Sequence, residues 1–451
     1  MSMIRVRSIW RSIRRPITSI ACAARRWLMA VGAAMSVETR PVLLDVTRLI
    51  SRIWTRRRAT GIDRVCYAYV RHYRARAHAM VQHRGIIKVL NAAASDELFD
   101  LLLAPSAGFR ARFAAILARL WFQTMPDRAI AGSVYLNVSH TDFDLPAHWH
   151  WVERHGLRAV YLIHDLIPIL HPEFSRPHAV KRHTDRVQMA LRGADRIVVT
   201  SQTVADQIGD YAALCELPRP DCVIAPLAGE SFDDAFVPGG LGVANADQPA
   251  WGTAPPYFVS VGTIEPRKNH ALLIDVWRAL ALRLGARAPR LVLVGQQGPL
   301  SGDILAPLDN DRTLGALIDW RKDCRDAELA HLIHGAAGVL CPSRAEGYGL
   351  PVIEGLEMDK TVLASDIAIF EEITQGQAQL LGPDDVQAWV QAIAGLIARA
   401  DLLTEPDLPA SPEPRPPFRA PQWVDHFVRI DAVTGPCIAD QSTPCVDSLA
   451  A

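Results

Sequence analysis

Residues 343–354 read Ser-Arg-Ala-Glu-Gly-Tyr-Gly-Leu-Pro-Val-Ile-Glu, and these residue types at this spacing set a chemistry. Pro351 suits the first turn of a helix, and the free N–H groups and dipole of such a turn attract an anion to its open end. Gly347 and Gly349 allow the backbone to approach a phosphate or a sugar with no side chain in the way. Two carboxylates bracket the turn, Glu346 before the glycines and Glu354 one turn into the helix. A carboxylate beside a phosphate is repelled, so each is expected to hold paired hydroxyls, as on a ribose or a hexose. The competing reading is an ordinary capped helix with Glu in its first turn, which the dipole also favours.

A second group is Gly262-Thr263-Ile264-Glu265-Pro266-Arg267-Lys268-Asn269, which follows a short β-branched run. Loops at strand ends of open α/β sheets face the ligand crevice, and adjacent Arg and Lys there supply charge for a diphosphate. Elsewhere the same pair is a solvated loop. Asp142-Phe143-Asp144 has the form of a metal-binding triplet but is read as a loop, because Arg267 and Lys268 already supply positive charge. His148 and His150 are expected to be exposed loop histidines. The stretch Arg48–Arg58 holds five arginines and suits a phosphate-bearing acceptor, an anionic membrane face or plain solvation. Residues 108–122 place Phe109, Phe113, Ile116, Leu117, Leu120 and Trp121 near one helical face, which fits burial in a core or contact with a membrane surface.

The elements that must position these groups alternate between short apolar runs and amphipathic stretches, the pattern of parallel sheets with crossover helices. Strands are expected at Val42–Val46, Ile87–Leu90, Val134–Val138, Ala159–Ile163, Arg196–Thr200 and Cys222–Ala225. After a Gly/Pro-rich linker they recur at Tyr257–Val261, Arg290–Val294, Gly338–Cys341 and Thr361–Ala364, with helices at His270–Leu284, Asp311–Asp319, Ala327–His334 and Pro351–Leu356. The expected organisation is a basic leader (1–40), a first Rossmann-like half (41–235), a linker (236–256), a second half (257–410), a helix crossing back (411–432) and a tail (433–451).

The chain has 451 residues, too many for one core, and 49% hydrophobic content, which excludes disorder for the bulk. Lys+Arg and Asp+Glu are both 48, which argues against a basic nucleic-acid binder. Residues 1–40 carry eight arginines and one acid. Arg25 and Arg26 interrupt the leader's apolar stretch, so it does not read as a transmembrane helix; an interfacial segment, or a start at Met35, are the readings left. None of the eight cysteines has a partner at C-x-x-C spacing, which leaves a reducing cytosol as the fitting compartment.

In order along the second half, Gly-Thr-Ile-Glu-Pro-Arg-Lys-Asn (262–269), Leu-Val-Leu-Val-Gly (291–295), Pro-Ser-Arg-Ala-Glu-Gly-Tyr-Gly-Leu-Pro-Val-Ile-Glu (342–354) and Ala-Ser-Asp (364–366) resemble the donor domain of family 4 glycosyltransferases. The resemblance implies an α/β GT-B fold, two Rossmann-like domains facing each other across a cleft, and a retaining, metal-independent enzyme with no cofactor. Its substrates would be a nucleotide diphosphate sugar and a glycan or lipid-linked acceptor, with no nucleic acid. By the same resemblance Lys268 and Arg267 would neutralise the diphosphate, Glu346 would contact the transferred sugar and Glu354 the ribose. The backbone of Gly347, Tyr348, Gly349 and Leu350 would touch sugar and phosphates. Gly262 and Thr263 belong to the donor loop, where many members have Arg in place of Thr263.

His164-Asp165-Leu166-Ile167-Pro168 with His171-Pro172-Glu173 is similar to a run in bacterial polysaccharide members, and His164 would face the donor sugar. Gly61 in Thr60-Gly61-Ile62-Asp63-Arg64 resembles the family's glycine turn. Transfer of a hexose, with mannose among the candidates, in surface polysaccharide synthesis is the resulting expectation, placed in the cytoplasm with the inner face of the cytoplasmic membrane as one site for it. A nucleotide-sugar 2-epimerase and a non-catalytic glycan or nucleotide binder are the alternatives.

Overall fold

The computed structural model describes residues 40–55, 60–104, 108–120, 124–229, 256–402 and 417–435. The expectations for the leader, the linker, the proline-rich stretch before 417, the tail beyond 435 and Arg56, Arg57 and Arg58 lie outside the described residues, as do those for the side chains of Leu117, Leu120 and Trp121.

The first sheet comprises β1 (Val42–Asp45), β2 (Ala77–His83), β3 (Ile86–Val89), β4 (Val134–Asn137), β5 (Arg158–Ile163), β6 (Arg196–Val199) and β7 (Cys222–Ile224), in the order β3-β2-β1-β4-β5-β6-β7. Helices such as Gly61–Tyr73, Pro177–Gly193 and Gln202–Leu214 connect its strands. The second sheet comprises β8 (Tyr257–Val261), β9 (Arg290–Val294), β10 (Ile318–Arg321), β11 (Gly338–Cys341), β12 (Val362–Ser365) and β13 (Gln379–Leu381), in the order β10-β9-β8-β11-β12-β13, all parallel. Most strands are apolar throughout because helices cover both faces. Strand order reverses at β1/β4 and again at β8/β11, and crevices open beyond the strand ends at such points.

Three expectations need correction. The first sheet is not wholly parallel: β2, which sequence reading passes over, pairs antiparallel with β3. Arg84 (φ 50°) and Gly85 (φ 84°) make a two-residue turn with both φ positive, the twist that suits a hairpin. The helix expected over 311–319 ends at Leu317, and Ile318–Arg321 is β10. His148 is buried on the helix Pro146–Arg154, with Nε2 2.7 Å from the Tyr161 hydroxyl and Nδ1 3.2 Å from Gln82 Oε1.

One apolar cluster joins the two halves, running from Val42 and Tyr69 through Tyr348 and Val352 to Phe427 and Ile430, while separate clusters fill the far face of each sheet. Phe109, Phe113 and Ile116 are buried in it, so these members of the 108–122 stripe are core. The last described helix, Trp423–Thr434, packs on the first half: His426 Nε2 lies 2.8 Å from the Tyr69 hydroxyl, and Tyr73 Oη donates to Asp431 Oδ1 at 2.7 Å. Phe427 stacks on His72 at 3.8 Å between ring centroids. Phe427→Ala is therefore expected to cost about 3–4 kcal/mol in denaturant unfolding, from lost transfer energy plus the cavity left behind.

Candidate active site

The close approach of two backbones sets the base of the site. A Cβ on Gly295 would lie 1.9 Å from Gly262 O, so the loops leaving β8 and β9 can touch only with glycine at 295. The chain then makes one tight turn, Pro266–Lys268, and Asn269 (φ 56°) opens the helix His270–Leu284. That turn carries Arg267 and Lys268 to the loop that follows β11. Arg344 N donates to Arg267 O at 2.8 Å and ties the two loops together.

Arg267, Lys268 and Glu346 meet. Arg267 Nη1 donates to Glu346 Oε2 at 2.8 Å; Lys268 Nζ donates to Oε1, which also accepts the Ser343 hydroxyl at 2.7 Å. Arg267 Nη2 further pairs with Glu265 Oε1 at 2.7 Å. Burial alone would raise the Glu346 pKa, but the Lys268 and Arg267 charges and the Ser343 hydrogen bond outweigh it and hold the carboxyl at about 2. Burial likewise opposes the Arg267 charge, and Glu346 and Glu265 overcome it, leaving the guanidinium pKa above its ordinary value. Beneath this trio a small cavity is lined by Lys268, Glu346, Ser343, Ser260, Cys341 and His270. Burial, helped by Lys268, pushes His270 down to about 3, so its ring is neutral.

A cleft of about 230 Å³ opens beside Glu346, lined by Ile167, His171 and Thr203 of the first half and by Arg344 and Glu346 of the second. Across it the Gly347–Leu350 loop rests on strand-end loops of the first half. A Cβ on Gly347 would lie 2.6 Å from His164 O and 2.9 Å from Asp165 Cβ. Thr200 Oγ1 donates to Gly347 O at 3.3 Å. Gly349 takes φ 107°, a left-handed conformation that starts the helix Leu350–Glu357. A Cβ on Gly61 would lie 3.5 Å from Leu350 Cδ1, so the glycine turn of the first half faces this helix start.

His164 reaches the second half through its backbone carbonyl. Its ring Nε2 lies 2.9 Å from Val138 O, and its N–H donates to His140 Nε2 at 3.2 Å. Burial pushes His164 down to about 4 and His140 well below the usual range, so these imidazoles are neutral near pH 7. His148 and His426 are also pushed to about 4 by burial. Protonation of the unfolded chain below its ordinary histidine pKa is not matched in the folded chain, so stability is full above about pH 6.5 and falls toward pH 4, by about 1.4 kcal/mol per pH unit for each such group. Tm measured from pH 7 to pH 4.5 is expected to fall steeply, and His148→Asn to flatten the fall.

Glu354 is not part of the trio. It is 1% exposed, and its Oε1 accepts Arg64 Nη1 at 3.0 Å, while Arg64 Nη2 reaches Asp326 Oδ1 at 2.9 Å. The first turn of Gly61–Tyr73 lies against this helix, and the carboxylate is turned to that neighbour. The Tyr348 side chain is buried in the core that joins the halves, and a Cβ on Gly298 would lie 2.5 Å from the Thr263 methyl. Ser343, Arg64 and Thr200 carry roles that sequence reading did not give them; Ser343 and Arg64 lay inside the quoted motifs, whereas nothing local marks Thr200.

Two clusters are committed elsewhere. Arg48 and Arg52, expected in a loop, lie on the helix Thr47–Trp54 and pair with the buried Asp63 at 2.5 and 3.0 Å. Asp63 also closes the capping box with Thr60. Arg182 pairs with Asp142 at 3.1 Å and with Asp144 at 2.8 Å, and Arg186 with Asp144 at 3.0 Å, so this triplet serves as an ion-pair anchor. Among the described residues no three His, Cys, Asp or Glu side chains gather as metal ligands, and no helix is long and apolar enough to cross a membrane.

The sequence model described as "Glycosyl transferases group 1" matches residues 255–399, the half that carries the trio. The serotype-specific mannosyltransferase WbdA of Escherichia coli is 28% identical over 228 residues, which span 49% of this chain and 28% of that protein. The O-antigen chain mannosyltransferase B of Escherichia coli is 28% identical over 235 residues, 51% of this chain and 59% of that one. The chain thus matches only part of the length of these relatives. In structure it is similar to HepE of Anabaena, crystallised with UDP and glucose, at a TM-score of 0.54 and 17% identity over 80% of this chain and 90% of that one. None of these relatives supports an epimerase. Residues 255–399 therefore match a group 1 glycosyltransferase domain, and the two halves together have the GT-B fold.

Proposed function

We propose that the protein transfers a hexose, with mannose the first to test, from a nucleotide diphosphate sugar to a glycan or lipid-linked acceptor, with retention at the anomeric carbon. The observation that carries this reading is the cleft-side trio: a carboxylate held ionised by Arg267 and Lys268 beside the start of the helix Leu350–Glu357. The naming of two relatives as mannosyltransferases, and the UDP and glucose bound to HepE, support the donor class.

In this reading the second half binds the donor. Arg267 and Lys268 take up the charge that collects on the diphosphate as its bond to the sugar breaks, and the backbone N–H groups from Gly347 to Leu350 add to it; preorganised charge of this kind is usually the largest rate term. Glu346, oriented by three donors, accepts from hydroxyls of the transferred sugar. His164 positions the loop opposite through its carbonyl and stays neutral. The Arg64–Glu354 pair opens for Glu354 to reach the ribose. The acceptor approaches from the first half, and the product is a surface polysaccharide built at the inner face of the cytoplasmic membrane.

A thermal-shift series with GDP, UDP and ADP, followed by transfer assays with the matching hexose donors, tests the reading. A ligand that binds only the folded state raises Tm, and one nucleotide is expected to do so; no shift with any of them and no transfer overturns it. Because Arg267 and Lys268 supply the positive charge, transfer is expected to proceed at an unchanged rate in excess EDTA; a rate lost to EDTA and restored by a divalent cation overturns that expectation.

A further inference from the structure

The trio leaves one electrostatic need unmet. As the sugar–diphosphate bond breaks, positive charge develops on the sugar ring, and a carboxylate nearby lowers its energy. Glu346 is ill suited to that role, because its two oxygens already accept from Arg267, Lys268 and Ser343 and its charge is largely neutralised.

We propose that Asp165 is a second carboxylate of the reacting centre, with its Oδ2 placed against the transferred sugar to stabilise that developing charge. This rests on the transfer reading above. Asp165 Oδ1 accepts the Ile167 N–H at 3.0 Å and so orients the carboxylate. Among the described residues Oδ2 takes part in no hydrogen bond or ion pair. It lies 3.2 Å from the point where a Cβ on Gly347 would stand, against the residue that follows Glu346. The charge of Asp165 also acts on Arg267, together with Glu346 and Glu265.

The backbone that carries Asp165 is held on both sides. His183 Nε2 lies 2.9 Å from Asp165 O, and the His164 N–H donates to His140 Nε2. His183 and His140 are accordingly positioning residues for this carboxylate, and a group fixed in this way needs little reorganisation when charge appears. In the step itself, the bond from the sugar's anomeric carbon to the diphosphate oxygen breaks with its electron pair leaving on the nucleoside diphosphate. The acceptor oxygen bonds to that carbon on the face the diphosphate leaves, and its proton passes to the departing phosphate oxygen. Asp165 neither gives nor takes a proton.

Asp165→Asn separates this role from a purely structural one, since asparagine keeps an Oδ1 for the Ile167 N–H and loses the charge. Asp165→Asn is expected to lower kcat about 100-fold with donor KM within about threefold of wild type, the size seen for loss of one electrostatic contact in an active site. Asp165→Ala is expected to regain part of its rate when formate is added as a free carboxylate. Wild-type kcat in Asp165→Asn, or an Asp165→Ala rate that formate leaves untouched, overturns the proposal. If the wild-type chain transfers no hexose, the function reading falls and takes this proposal with it; if wild type and Asp165→Asn transfer equally well, this proposal alone falls.

Discussion

Lys268→Ala is expected to lower kcat by about a thousandfold, the upper range for removing one preorganised charge from a developing anion. Two effects add. The cation that meets the leaving diphosphate is gone, and Glu346, only 8% exposed, keeps Arg267 as its remaining charged partner among the described residues. A buried carboxylate stripped of one counter-charge is also a stability defect. In the native protein the Glu346 pKa is about 2 against an ordinary 4.5. Its stabilising contribution is therefore complete above pH 4.5 and disappears as the pH falls toward 2, and it is about 3 kcal/mol at neutral pH. Lys268→Ala should lose part of it, visible as a lower Tm at pH 7 and a shallower acid limb. Lys268→Arg keeps the charge and should recover Tm more fully than rate, because a planar guanidinium does not reproduce a compact ammonium. Steady-state transfer kinetics and calorimetry on the three proteins check both parts.

Gly347→Ala is expected to reduce kcat/KM by about 100-fold while leaving Tm close to wild type, since a misplacement of about 1 Å at a reacting centre costs that much. The methyl group would meet His164 O at 2.6 Å and Asp165 Cβ at 2.9 Å, and both belong to the opposite half. The clash thus falls on the seating of one half against the other and spares the interior of each. Gly349→Ala is the contrasting case. Its φ of 107° is strained for any residue with a Cβ, and the methyl would meet Phe370 Cε1 at 2.6 Å within the same half. That substitution should lower Tm by several degrees, as expected for a cost of about 1–3 kcal/mol. A Gly347→Ala protein that unfolds early but transfers normally per folded molecule contradicts this division.

Much of the fold was legible because the apolar runs that cross a buried parallel sheet are distinctive. The pattern places Tyr257–Val261, Arg290–Val294 and Gly338–Cys341 to the residue. β2 escapes that pattern because His78 and Gln82 interrupt its apolar run. The structure pairs that polarity inside: Gln82 Nε2 donates to Asp45 Oδ2 at 2.7 Å and to Thr141 O at 2.8 Å. The sequence around β10 reads as helix because Asp311 does start a helix there, accepting the Thr313 N–H at 2.9 Å, and nothing local marks its end at Leu317.

The local devices of this protein are written along the chain: the glycines that permit close backbone approach, the proline at a helix start, and adjacent Arg267 and Lys268 at a strand end. Each depends on residues near in the chain, so residue type and spacing suffice to read it. Which charges meet was set by long-range packing. It gave Glu346 to Arg267 and Lys268, turned Glu354 to Arg64 across the halves, spent Arg48 and Arg52 on Asp63, and set Asp165 against Gly347. Partners separated by 78 or 290 residues are brought together by the packing of two halves. The strength of a charge pair depends on distance and burial, and neither is written in a linear spacing.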